Sequence, residues 1–133
     1  MKKMFAVIMM CMILPFATLY AEGFLPNGKN CIIGMASWYS KTDRGISNTT
    51  ANMESFCDRK NTCAVWNMPF NTLVRVTNLL NGKSIVVRVN DRGPAKHLVK
   101  RGRIIDLTKG AFSKIAEPGH GLIPIKISAL RSE

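Results

Sequence analysis

Two runs in the middle of the chain constrain its fold more than any other feature. Residues 72–77 (TLVRVT) and 84–89 (SIVVRV) are rich in β-branched side chains and alternate in part between apolar and polar positions. Branched side chains pack well on the pleated surface of a strand. The stretch between the runs contains Asn81-Gly82, a pair that supplies the positive φ angles of a tight hairpin turn. The two runs are therefore predicted to form an antiparallel hairpin. Asn90-Asp91-Arg92-Gly93-Pro94 ends the second strand, because Gly and Pro do not continue a ladder. Residues 32–39, 103–107 and 122–128 read as further strands, and 41–52, polar and rich in Ser, Thr and Asn, as a loop. Residues 108–116 fit one short helix, with Thr108 as its cap and Phe112, Ile115 and Ala116 at helical spacing. Several short strands and one helix predict a small, mostly antiparallel barrel.

The chain has 133 residues, but the first 21 do not read as part of that barrel. Lys2 and Lys3 precede an apolar run over 4–14, then Pro15 and small residues ending at Ala21, the layout of a secretory signal peptide. The run is shorter than the roughly 20 residues of a membrane span. Residues 22–31 hold Pro26, Asn27, Gly28 and Asn30 and are expected to be irregular. One domain over 32–133 follows. The formal net charge is +11, which points to an anionic partner. Export argues against nucleic acid and for wall polymers or lipid head groups, in the periplasm or elsewhere in the cell envelope. Cys11 would leave with the leader. Cys31, Cys57 and Cys63 remain, and outside the cytoplasm such thiols tend to pair. A Cys57–Cys63 bridge would close a small loop and leave Cys31 over. His97, His120 and the scattered cysteines lack the spacing of a zinc site, so neither metal nor cofactor is expected. Cys31 follows Gly28-Lys29-Asn30, not the small apolar residues that precede a lipid-modified cysteine, so no lipid anchor is expected.

Three carboxyl groups stand out. Asp91 lies where a strand breaks, so its side chain can project from a barrel rim. Glu54 follows the polar loop, and Asp106 sits between Ile105 and Leu107. Cleavage of a glycosidic bond needs a carboxyl that gives its proton to the leaving oxygen. An Asp in Asp-Arg-Gly also commonly binds local amides as a turn former. Asp106 reads as structural, tying down neighbouring backbone or paired with Arg92 or Arg103. The cations of 96–103, Lys96 and Arg101 among them, lie near Asp91 in sequence. They could grip substrate carboxylates through charge-assisted bonds or belong to a solvated loop. Trp38 fits core packing better, and Tyr39 a groove, where its hydroxyl would find a partner.

Several strings resemble the rare lipoprotein A (RlpA) family of lytic transglycosylases. They are Gly34-Met35-Ala36-Ser37-Trp38-Tyr39, Thr50-Ala51-Asn52-Met53-Glu54, the 74–94 stretch ending in Val-Arg-Val-Asn-Asp-Arg-Gly-Pro, and Arg103-Ile104-Ile105-Asp106-Leu107. The resemblance implies a six-stranded double-psi β-barrel with one or two short helices. It also implies cleavage of the bond between N-acetylmuramic acid and N-acetylglucosamine in peptidoglycan without water, leaving a 1,6-anhydro end. Asp91 is then the catalytic acid and base, and Glu54 the second acidic residue. Tyr39, Asn90, Arg92, Lys96 and Arg101 are expected on the substrate side. The chain departs from the family at Val65, where a His is usual, and at Met53, where a Gly is usual. A carboxy-terminal SPOR domain, present in many members, is not expected. The alternative is a non-catalytic, expansin-like module that holds peptidoglycan, and a third reading is an envelope interaction protein using its positive face. A monomer is expected, with cell-division or other envelope proteins as the partners its location allows.

Overall fold

The computed structural model describes residues 31–130. The expected leader over 1–21, Cys11 and all but the last residue of the 22–31 segment lie outside the described residues. The strands are β1 (Cys31–Tyr39), β2 (Thr62–Ala64), β3 (Leu73–Asn78), β4 (Ser84–Asp91), β5 (Arg103–Thr108) and β6 (Ile123–Ala129). Helix α1 (Lys96–Val99) precedes β5, α2 (Lys109–Ser113) follows it, and a 3₁₀ turn spans Pro118–His120. The strands close into one barrel in the order β1-β5-β2-β4-β3-β6, with β6 returning to β1. The β1/β5 and β2/β4 seams are parallel and the other seams antiparallel.

Strand alternation decides which side chains fill the interior. Val74 and Val76 on β3, Ile85, Val87 and Val89 on β4, and Ile123, Ile125 and Ile127 on β6 all point inward and are buried. Burying a side chain of this kind contributes about 1.5–3 kcal/mol. Phe112 and Ile115, from α2 and the turn after it, join the same core. The Thr108 hydroxyl accepts the Ala111 N–H at 3.2 Å and donates to the Lys60 carbonyl at 2.7 Å. It therefore caps α2, as expected, and also fastens the loop before β2.

Three features differ from the expectations. Thr62–Ala64 is a strand although only three residues long; it exists because β4 and β5 flank it on both sides. Part of the expected 96–103 linker coils into α1. The β3–β4 turn is wider than a two-residue hairpin: Gly82 alone in it has a positive φ, 75°. The Asn81 side chain instead accepts the Lys83 N–H and donates to the Ile115 carbonyl, both at 2.9 Å, tying the hairpin to the end of α2.

The cysteine bridge also fails to form. Cys31, Cys57 and Cys63 are free thiols. Cys63 alternates inward on β2 and packs as a small apolar residue within the barrel core, while Cys57 lies half-buried in the loop before it. Burial pushes the Cys63 thiol well above its ordinary range, so it stays neutral and unreactive.

Candidate active site

A β-bulge builds the centre of the site. Along the β2/β4 seam Cys63 faces Val89, but the next residue, Ala64, faces Asp91, leaving Asn90 as the extra residue. Regular alternation would have turned Asp91 inward after the inward-facing Val89; the bulge lets both Asn90 and Asp91 reach the outer face, as bulges beside functional sites commonly do. Ala64 belongs to a small outer cluster with Tyr39 and Phe56. Across the neighbouring seams Ala64 faces Asp106, and Asp106 faces Ser37. Side chains opposite one another share a face. Asp91, Ala64, Asp106 and Ser37 therefore form a row across four adjacent strands.

The half-buried Asp91 carboxyl is held from three sides. Its Oδ1 accepts the main-chain N–H groups of Arg92 at 2.9 Å and Ala51 at 3.0 Å, and its Oδ2 accepts the Tyr39 hydroxyl at 3.1 Å. The turn-former role and the projecting role are thus combined: Oδ1 serves the backbone, and Oδ2 takes a single bond among the described residues. The Tyr39 ring packs on Phe56, with centroids 4.8 Å apart. Burial and then the Asp91 charge push its phenol above the ordinary tyrosine range, so it remains a hydrogen-bond donor.

Glu54 is clamped. Arg88, on the outer face of β4, grips it with two bonds of 2.6 and 2.9 Å. Asn52 donates to its Oε1 at 2.9 Å, and Asn90 to its Oε2 at 3.2 Å. The Arg88 bonds, then those of Asn90 and Asn52, hold its pKa at about 2, so it is a carboxylate throughout the physiological range. The same bonds brace the turn over 50–54, where the Thr50 hydroxyl donates to Asn52 at 2.6 Å. That turn presents the Ala51 N–H to Asp91. Asn90 is buried, and its Oδ1 has no hydrogen-bond partner among the described residues.

The side chains of Arg92, Lys96 and Arg101 lie outside this network. The Arg92 guanidinium donates to the carbonyls of Val65 at 3.1 Å and Met68 at 2.8 Å and covers the Phe70 ring at 3.9 Å, so it braces the wall behind Asp91. Lys96 and Arg101 are exposed on and just after α1. A cavity of about 310 Å³, lined by Asn78, Lys83, Glu117, His120 and Ile123 among others, opens at the hairpin end of β4 and touches none of these residues.

Two residues near Asp91 gain weight in three dimensions. Asp106 pairs with Arg103, one of its two expected partners, through bonds of 3.0 and 2.9 Å to Oδ1. Its Oδ2 makes no hydrogen bond within the described residues. Burial raises the Asp106 pKa against the lowering effect of Arg103, and the charge of Asp91 raises it further. Trp66 lies directly after Val65, whose N–H donates to the Asp91 carbonyl at 3.2 Å. The signal for Asp106 was its alternation with Ile105 and Leu107; Trp66 carried none beyond its nearness to the strand.

A family model described as "Lytic transglycolase" matches residues 32–127. The chain belongs to that family. Relatives include a probable endolytic peptidoglycan transglycosylase RlpA of Nostoc sp., 44% identical over 97 residues that make up 73% of this chain and 25% of that protein. The endolytic peptidoglycan transglycosylase RlpA of Campylobacter jejuni is 40% identical over 97 residues, 73% of this chain and 33% of that protein. The chain thus spans a quarter to a third of the length of these relatives. Among solved structures, a Streptomyces papain inhibitor aligns with a TM-score of 0.59 at 24% identity, over 78% of this chain and 97% of that one. The apo expansin of Clavibacter michiganensis aligns with a TM-score of 0.58 at 20% identity, over 78% and 52%. At such identities the two structures speak for the fold alone. The fold is the six-stranded double-psi β-barrel that the RlpA-like motifs implied.

Proposed function

We propose that this domain is a peptidoglycan lytic transglycosylase with Asp91 as its acid and base. One observation carries the reading: a bulge turns Asp91 outward, two main-chain amides fix its Oδ1, and among the described residues its Oδ2 is bonded only to a hydroxyl. In the proposed reaction the protonated Oδ2 gives its proton to the glycosidic oxygen, and the bond from that oxygen to C1 of N-acetylmuramic acid breaks. The C6 hydroxyl of the same sugar bonds to C1, and Oδ2 takes back the hydroxyl proton. No water is consumed, and the product ends in a 1,6-anhydro ring. Tyr39 orients Oδ2. Glu54 is a positioning residue: fixed as a carboxylate by Arg88, it has no proton to deliver, and it holds the turn that supplies the Ala51 N–H. The names of the relatives, which are endolytic peptidoglycan transglycosylases, support the substrate. A place in the cell envelope, reached through the 1–21 leader, belongs to the same reading.

The test incubates the protein and its Asp91→Asn form with purified peptidoglycan and seeks 1,6-anhydro-muramyl ends by mass spectrometry. Products are expected from the native protein, with a loss of about 10²–10⁴-fold in the variant. A second reading, a non-catalytic binding module, is favoured by Val65: the place of the family's His is held by a buried residue with no proton to move. Sedimentation with the polymer but no anhydro ends from either form would establish that reading and overturn the first.

A further inference from the structure

The two tryptophans of the chain serve different purposes. Trp38 packs against the barrel core and donates its Nε1–H to the Pro118 carbonyl at 2.9 Å. Trp66 packs against neither apolar cluster. It is half-buried, yet its ring is firmly placed: Nε1 donates to the Pro94 carbonyl at 2.6 Å. Val65, immediately before it, is bonded to the Asp91 carbonyl. The indole therefore stands against the segment leading directly away from Asp91. Lys96 brings its ammonium to 5.1 Å from the ring centroid, within cation–π reach. Lys96, Lys100 and Arg101 are exposed, and none forms an ion pair among the described residues.

An indole that contributes nothing to a core but is pinned by a short hydrogen bond is a pre-oriented apolar plate. The C–H face of a pyranose ring matches such a plate, because both shed apolar surface from water on contact. The Lys96 ammonium over the ring, in no ion pair among the described residues, matches a carboxylate carried by that sugar. We infer that Trp66 and Lys96 form a subsite next to Asp91 for a sugar ring bearing a carboxylate, distinguishing it from the same ring without one. This rests on the reading of the domain as glycan-cleaving, and it assigns the acidic sugar of an alternating strand to the Trp66 side of Asp91. In such a strand the acidic ring is the one with the lactyl ether. Lys100 and Arg101, exposed farther along the turn, extend the positive surface around that carboxylate.

The test is a fluorescence titration of the protein with two disaccharides. One is N-acetylglucosaminyl-N-acetylmuramic acid; the other is N,N′-diacetylchitobiose, with the same ring and no carboxylate. In the Trp38→Phe background, where Trp66 is the sole emitter, the acidic disaccharide is expected to shift the emission and to bind about tenfold tighter than the neutral one at low salt. Lys96→Gln should abolish that preference while the neutral sugar still binds. Trp66→Ala and Trp66→Phe, which lack the reporter and are read by isothermal titration calorimetry, should weaken both sugars, the Phe form less because it keeps a ring but loses the bond to Pro94. Equal affinity for the two sugars, or unchanged binding in Trp66→Ala with its native circular dichroism, would overturn the inference. Turnover is not involved, so the two claims fail separately. Trp66-dependent binding without anhydro products removes only the enzyme. Anhydro products with no dependence on Trp66 or Lys96 remove only the subsite.

Discussion

Met53 sits at a φ of 73° with 82% of its surface exposed. A left-handed conformation costs a non-glycine residue about 1–2 kcal/mol, and nothing packed on this side chain offsets it. The glycine usual at this position in the family would relieve the strain, less the extra entropy that glycine loses on folding. Met53→Gly is therefore expected to stabilise the domain by about 1 kcal/mol, read as a higher urea midpoint with unchanged slope. Glu54 has a folded pKa of about 2 against an ordinary 4.5. Its contribution is fully present above about pH 4.5 and is lost as the pH falls towards 2. In Glu54→Gln the fall in unfolding free energy across that window should be shallower than in the native protein, measured by chemical denaturation at steps of pH. The change will be modest, because the pair is partly open to solvent. Tyr39→Phe keeps the ring on Phe56 and removes the donor to Oδ2; glycan cleavage is expected to drop about tenfold or more with the fold intact. At this scale the strand end at Asp91 was legible from Asp-Arg-Gly-Pro, but the bulge that turns its carboxyl outward was not, because it arises from the pairing with β2. The Arg88 grip on Glu54 was not, since the partners are 34 residues apart and nothing local joins them.

Helix α2 has only five residues and would not persist alone. It is held by the Thr108 cap and by the bond from the Gly110 N–H to the Asp58 carbonyl at 2.8 Å. A Cβ on Gly110 would collide with that carbonyl and come within 3.1 Å of the Arg59 Cα. Gly110→Ala should therefore destabilise by about 1–3 kcal/mol, seen as a lower thermal midpoint. The strands with clear alternation, β3, β4 and β6, were readable within a residue or two of their ends. β2 and α1 were not, because three or four residues carry too little pattern; β2 owes its extended form to the strands on either side of it. Asn81-Gly82 pointed to a hairpin correctly but not to its width, since the pull on Asn81 comes from the distant Ile115 carbonyl.

At the scale of the whole barrel, the described residues are held by the closed apolar interior and by no cross-link among themselves. Phe112 is fully buried in that interior, and Phe112→Ala is expected to cost about 3–5 kcal/mol. A reducing agent should leave the thermal midpoint unchanged, because the thiols are free; a clear fall would mean that a bridge had formed. By itself the sequence determined the strand-rich class, the end of β4 at Asp91, the helix cap at Thr108 and the kinship with RlpA. All of these depend on neighbours along the chain, through alternation, turn chemistry and short motifs. The tertiary structure alone decided that Cys63 faces the core, that Asp106 shares a row with Asp91, that Glu54 is locked as a carboxylate, and that Trp66 is pinned to the Pro94 carbonyl. Each follows from which strands lie side by side and in what register. Barrel closure settles that register by burying one face of every strand at once, and no short stretch of residues encodes it.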